Sequence, residues 1–415
     1  MAHGGSAVGR YAGRVLFVPF AIPGEKVRVE IAEVHDRWAR ARLVEILVPS
    51  PHRVEPPCPY FGPGRCGGCH FQHIRYEAQA ELKQLVIADQ LARVGGLRQV
   101  HILDMIAAEE PWHYRNHVTL SPIHSSSENL SQEEPGQGGD RSKLGFLSTG
   151  SRAVIPVERC LVADPLIGDA WSALDLDWPQ LRRLSLRCGS ATADRMAIFE
   201  LDHYEDFDIE VDLPVSCVIL LADGESVVLM GKRYLAERVA GREYQISAGS
   251  SFPVNTAGAE ALVAVVRELL EPKLHHSLVD LYCGGGLFSL ALSGDVGRVT
   301  GVEPEPSSAA DFRQNAMGLD QASLIESAVE TALPQIQGPV DLVVLDPPRA
   351  GAGQGVIGEI GRLAPRRIAY VSSDPATLAR DARLLTDAGF HLTAVQPVDM
   401  VPQTFHIGSV ALFAR

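Results

Sequence analysis

Apolar and polar positions follow three rhythms along the 415-residue chain, and each predicts a different architecture. Between residues 10 and 48, "GRVLFVPF", "AIPGEKVRVEIAEV" and "ARARLVEIL" interleave Val, Ile and Phe with charged residues. That pattern predicts short half-buried strands, with a turn at Pro23-Gly24. Strands this short, closing on themselves over residues 1–50, predict a small barrel of the type that binds oligonucleotides. Next, Leu82, Leu85, Val86, Ala88 and Leu91 recur at helical spacing and predict a helix over 76–92. From 144 to 235, "AVIPVERC", "RMAIFELD", "SCVILLA" and "SVVLMG" predict a mostly β central unit within 51–245. Residues 124–142, "HSSSENLSQEEPGQGGDRS", hold almost nothing to bury and are expected to be a disordered insertion.

From about 257 the rhythm becomes helix and strand in alternation. A helix over 257–270 precedes the apolar strands "SLVDLY", "RVTGVEP", "VDLVVLDPP", "RRIAYVSS", "HLTAVQPVDM" and "VALFAR". Units of that length predict an α/β doubly wound, mainly parallel sheet over 246–415. With 46% hydrophobic and 21% charged residues, the composition is that of a soluble globular protein. No apolar run approaches the roughly 18–20 residues that span a bilayer, and the first residues have no signal-like apolar segment. A cytoplasmic monomer without a membrane partner is expected.

The net charge of -14 argues against a polyanionic partner until its distribution is considered. Residues 1–98 carry 13 Lys+Arg against 9 Asp+Glu, or +4, leaving 24 against 42, or -18, for the rest. The first quarter is therefore the side expected to face phosphate.

Three stretches carry chemistry. "LVDLYCGGGLFSLAL" runs a strand into three glycines and a helix, where the backbone can approach a ligand and aim N–H groups at it. About twenty residues on, Glu303 ends the next strand, where a carboxylate can accept bonds from ribose hydroxyls, and Asp346 in "DLVVLDPPRAG" ends another. In "CPYFGPGRCGGC", Cys58, Cys66 and Cys69 form a soft-ligand set that needs a fourth member, and Cys160 is the candidate. Thiolates suit zinc and an iron–sulfur cluster equally, and either would draw the four sulfurs toward one point. Cys188, Cys217 and Cys283 lie in apolar strand contexts and read as small core residues.

Taken in order, these motifs resemble the bacterial RNA uracil-5-methyltransferase family over nearly the whole chain. "GRVLFVPFAIPGEKVRV" is similar to the family's RNA-binding TRAM domain, and "CPYFGPGRCGGCHFQH" with Cys160 to its [4Fe–4S] motif. "LVDLYCGGGLFSLAL", "GVEPEPSSAADFRQNA", "LDPPRAG", "YVSSDPATLARD" and "DMVPQTFHIGSVALF" follow its catalytic domain. The resemblance implies S-adenosylmethionine as cofactor, held by Tyr282, Gly284, Gly286, Glu303 and Asp346, and ribosomal or transfer RNA as partner. It also implies that Ser373 stands where the family has a cysteine that adds to C6 of uracil. Gly408 stands where the family has a glutamate that helps remove the C5 proton. A serine hydroxyl ionises far less readily than a thiol, glycine carries no base, and no histidine neighbours Ser373 in sequence. The family's phenylalanine–glutamine pair aligns with Ser251 and Pro253, and its adenine-contacting position with Ala328. Three readings follow: an RNA methyltransferase altered in mechanism or target, an RNA-binding homologue without catalysis, and a metal-binding protein without RNA. Returning Cys to 373 together with Glu to 408 is expected to recover methyl transfer to C5 only where Pro253 leaves cofactor binding intact, and glutamate adds bulk at 408.

Overall fold

The computed structural model describes residues 1–123, 144–174, 178–204 and 213–415, so the insertion expected at 124–142 lies outside the described residues. The leading segment forms β1 (Ala7–Tyr11), β2 (Arg14–Val18), β3 (Lys26–Val34) and β4 (Trp38–Val48) in the order β1-β2-β4-β3. β2 and β4 run parallel, so the sheet curls back on itself around Leu16, Val18, Ala39 and Ala41 as a small barrel-like unit. Arg28 pairs with Glu45, and Arg42 with Glu30, across the exposed β3–β4 ladder. Part of the basic excess is thus neutralised within the sheet itself.

α1 (Tyr76–Arg93) forms where helical spacing predicts it, but its buried stripe is rotated. Leu85 is 65% exposed while Gln79 and Lys83 are buried along with Val86, Ile87 and Leu91. The reason is polar: Lys83 Nζ meets Asp399 Oδ1 at 2.7 Å, deep in the molecule. The middle of the chain supplies β5 (His117–Pro122), β6 (Leu144–Leu147), β7 (Val154–Pro156), α2 (Pro165–Ala173), β8 (Arg183–Cys188), β9 (Arg195–Leu201), β10 (Ser216–Leu221) and β11 (Ser226–Met230). Its seven strands form one sheet, β11-β10-β9-β8-β5-β6-β7, whose core includes Cys188 and Cys217. The hairpin of β12 (Tyr234–Val239) and β13 (Arg242–Ser247) then packs Val239, Tyr244 and Ile246 against α3 (Thr256–Leu270).

The C-terminal part alternates as expected: β14 (Ser277–Leu281), α4 (Leu287–Ala291), β15 (Arg298–Val302), α5 (Pro306–Asn315), β16 (Ala322–Ile325), α6 (Val329–Ala332), β17 (Leu342–Leu345), α7 (Gly353–Leu363), β18 (Arg367–Ser372), α8 (Pro375–Asp387), β19 (His391–Val398) and β20 (Gly408–Ala414). The sheet order is β16-β15-β14-β17-β18-β20-β19, with β20 antiparallel to both neighbours and β14 to β18 joined by parallel ladders. Side chains alternate between two helical layers: Val279 and Leu281 face α1, α7 and α8, while Leu278 faces α3 and α4. The strand order reverses between β14 and β17, which opens a crevice at their carboxyl ends.

Candidate cofactor site and reaction face

At the end of β14 the backbone turns through three left-handed residues, Tyr282 (φ 61°), Gly284 (φ 54°) and Gly286 (φ 93°). Glycine adopts that conformation freely, whereas Tyr282 is held in it by packing against the apolar core beneath. An added Cβ on Gly286 would lie 2.6 Å from Leu290 Cδ1, so only glycine lets α4 begin there. Glu303, one residue beyond β15 and 8% exposed, accepts bonds from the N–H groups of Gly284 (2.9 Å) and Glu305 (2.9 Å). These fix the carboxylate beside the glycine turn, with lone pairs left over for a ligand's hydroxyls. Asp346 lies exposed at the end of β17, and its N–H donates to the Leu281 carbonyl across the crevice. The Ser251 carbonyl stands over Gly284. The Pro253 carbonyl accepts from Asn116 Nδ2 at 3.2 Å. Ala328 is exposed at the start of α6.

Beneath the crevice lies a residue that sequence reasoning passed over. Asp280 is fully buried, and burial pushes its carboxyl up to about 7. One of its oxygens accepts from the Ser289 N–H at 3.0 Å, while the other has no partner.

The structure brings Ser373 and Gly408 to the same sheet end. β18 and β20 pair Ser372 with Ser409 at the end of their ladder, and Ser373 and Gly408 are the next residues along their respective segments. Ser373 is exposed at the turn into α8. Ser372 Oγ accepts the Asp374 N–H, and Asp374 Oδ1 caps α8 by accepting from Ala376 N (2.9 Å) and Thr377 N (3.0 Å). No histidine is near in sequence, yet the fold brings one from the far end of the chain: His3 Nε2 lies 3.1 Å from Asp374 Oδ2.

Cys58, Cys66, Cys69 and Cys160 line one cavity of about 430 Å³, together with Arg115, Arg349 and His406. Among the described residues, no three His, Cys, Asp or Glu side chains converge tightly enough to hold a single ion. The expected meeting of four sulfurs at one point is therefore replaced by four thiols around a wider space. Burial pushes Cys66 up to about 11 and Cys69 up to about 12. The Gly68 N–H donates to Cys66 Sγ at 3.4 Å.

Comparison with known proteins accords with this layout. Residues 2–44 match the TRAM domain family. An uncharacterized RNA methyltransferase of Streptomyces avermitilis is 36% identical over 99% of this chain and 96% of its own length. Another, of Thermosynechococcus vestitus, is 33% identical over 99% and 96%. The chain belongs to the RNA methyltransferase family. A tRNA (uracil-54, C5)-methyltransferase of Pyrococcus abyssi, solved with S-adenosyl-L-homocysteine, superposes with a TM-score of 0.74 over 99% of this chain and 97% of its own. At 24% identity that likeness establishes the fold.

Within this methyltransferase scaffold position 408 is closely packed. An added Cβ on Gly408 would lie 2.7 Å from Met400 Cγ and 2.8 Å from the Val398 carbonyl. Met400 cannot swing away toward Gly258, whose added Cβ would lie 2.6 Å from its Sδ. The bulk that glutamate adds at 408 therefore meets Met400 and the Val398 carbonyl, and simple replacement is opposed by packing. Behind this face, a polar network ties α1 to residues 399–403, the start of the "DMVPQTFHIGSVALF" stretch. Tyr76 Oη and Lys83 Nζ both donate to Asp399, and Gln79 Nε2 donates to Gln403 Oε1 at 2.9 Å. The Gln403 carbonyl in turn accepts the N–H groups of His70 and Phe71, directly after Cys69. Among the described residues, no helix is long and apolar enough to cross a membrane.

Proposed function

We propose that the protein is an S-adenosylmethionine-dependent RNA methyltransferase that does not use the C6-adduct route to uracil C5. The observation that carries this is a built cofactor crevice on the same sheet as Ser373 and Gly408, which flank the last β18–β20 pair, Ser372 with Ser409. Tyr282, Gly284, Gly286, Glu303 and Asp346 are the residues proposed to hold the cofactor, which supplies a methyl group on an electrophilic sulfonium. Uracil C5 becomes a competent nucleophile only after a thiolate has added at C6. A base nitrogen or a hydroxyl oxygen already carries its lone pair, so direct displacement needs only alignment and an outlet for the proton. Those are the acceptor atoms we propose, on transfer or ribosomal RNA; the P. abyssi fold favours the former.

The division of labour follows the three segments, with residues 1–50 engaging RNA, 51–245 carrying the cysteines and 246–415 the cofactor. The β12–β13 hairpin bridges the last two segments, packing Val239, Tyr244 and Ile246 toward α3 and Leu235 toward Met196, Ile198 and Val218 of the central sheet. Cys58, Cys66, Cys69 and Cys160 would hold a [4Fe–4S] cluster. Four thiols around one cavity, Cys69 buried and the others half-buried, suit a group broader than a single ion, and the Gly68 N–H suits an electron-rich sulfur.

Titration calorimetry with S-adenosylmethionine, followed by transfer of labelled methyl to bulk RNA, tests the reading. Binding with label appearing in RNA supports it; binding of neither cofactor nor RNA contradicts it. A second reading, RNA binding without transfer, is favoured by Met400 filling the space over Gly408. RNA retention with a silent cofactor titration would select it.

A further inference from the structure

Residues 1–6, ahead of the first strand, are folded onto the reaction face. The Ala2 carbonyl accepts the Gly5 N–H, and the Ser6 carbonyl accepts the Ala2 N–H, closing a tight turn. Gly4 (φ 89°) and Gly5 (φ 80°) both take the left-handed conformation. An added Cβ on Gly5 would lie 2.9 Å from Phe405 Cβ, so this backbone approaches the segment before β20 as closely as glycine allows. Met1 packs against both the sheet core and the patch around Ile22, Phe71 and Ile74. From this anchored turn His3 reaches Asp374, the residue directly after Ser373.

The two oxygens of Asp374 have separate tasks. Oδ1 caps α8 through two backbone N–H groups, while Oδ2 meets His3. The turn that presents position 373 is therefore braced from both sides, by its own helix and by a side chain from the other end of the chain. We propose that residues 1–6 complete the reaction face, with His3 as a positioning residue that braces Asp374 and so aims residue 373 at the substrate. Its meaning for catalysis rests on the reading of position 373 given above; the bracing itself does not. The barrel that meets RNA and the turn that meets the target nucleotide then become one mechanical unit.

The test uses the full-length protein with Ser373→Cys as a reporter. Alkylation by iodoacetamide at pH 7 is followed by mass spectrometry on the peptide carrying residue 373. Removing the donor leaves Asp374 Oδ2, on the residue that follows the thiol, without its His3 partner, and a rise of half a pKa unit in the thiol slows alkylation about threefold. His3→Ala should therefore slow the reporter about threefold or more. His3→Gln, whose amide can still donate, should stay within about twofold of the parent. A rate in His3→Ala equal to or above the parent's overturns the proposal, and so does failure of His3→Gln to restore it. Cofactor titration on the same proteins separates the two levels. Loss of binding in every protein, parent included, would sink the cofactor reading while leaving the alkylation result standing. If the parent transfers methyl groups, His3→Ala should lower kcat with KM for S-adenosylmethionine unchanged.

Discussion

Replacing Gly408 by glutamate would return a carboxylate to the reaction face, yet the surroundings of Gly408 oppose even the first carbon of that side chain. An added Cβ would lie 2.7 Å from Met400 Cγ and 2.8 Å from the Val398 carbonyl, and real Cβ atoms essentially never come within 3.0 Å of such neighbours. Val398 is the residue that pairs with Gly408 across β19 and β20, so its carbonyl retreats only if the ladder opens. The Met400 carbonyl is held by Asn255 Nδ2 at 3.1 Å, and its side chain is wedged against Gly258. Overpacking of this kind typically costs about 1–3 kcal/mol. Gly408→Ala alone should then lower the melting temperature by roughly 1–4 °C, read by scanning calorimetry. Gly408→Glu should lose more, and Met400→Ala should recover only the part owed to Met400. A Gly408→Ala protein melting with the parent would show that the face is open and the steric reasoning wrong.

Other outcomes follow from the same geometry. Glu303→Ala should weaken S-adenosylmethionine binding at least tenfold by calorimetry, since charge-assisted hydrogen bonds contribute about 1.5–3 kcal/mol each; unchanged affinity would remove Glu303 from the site. Lys83→Met should destabilise the fold by about 3–5 kcal/mol in denaturant titration by leaving the buried Asp399 without its counter-ion and with only the Tyr76 hydroxyl as side-chain donor, with partial recovery in Lys83→Met/Asp399→Leu. Anaerobically purified protein should carry iron and sulfide that are lost in Cys66→Ser and Cys160→Ser but kept in Cys188→Ala; stoichiometric zinc would refute the cluster assignment. Asp280 has its folded pKa raised to about 7 by burial, so its contribution to stability is present below about 4 and lost as pH rises through 7. Asp280→Asn should accordingly gain on the parent between pH 5 and pH 8, by on the order of 1 kcal/mol or more; a pH-independent difference would place the charge elsewhere.

Much of this was legible in the sequence because it depends on local pattern. The parallel strands, the glycine turn and the strand-end acids Glu303 and Asp346 each announce themselves within a few residues. The fold's antiparallel register then brings the ends of β18 and β20 together at Ser372 and Ser409, next to Ser373 and Gly408, which sequence order keeps 35 residues apart. What escaped was long-range and polar. Leu85 looked like part of a buried stripe, but the Lys83–Asp399 pair turns the helix so that a lysine faces inward and the leucine outward. The contact between His3 and Asp374 spans almost the whole chain. Gly408 could be read as a missing base, but only packing reveals that Met400 and Val398 have taken up its room.

The most direct test of the central claim is nucleoside mass spectrometry of RNA incubated with the unmodified protein and labelled S-adenosylmethionine. The expected result is no labelled 5-methyluridine and no denaturant-stable protein–RNA adduct, with any label residing on a nitrogen or hydroxyl oxygen. Robust labelled 5-methyluridine would contradict the account, because it would require a nucleophile and a base other than those that Ser373 and Gly408 replace.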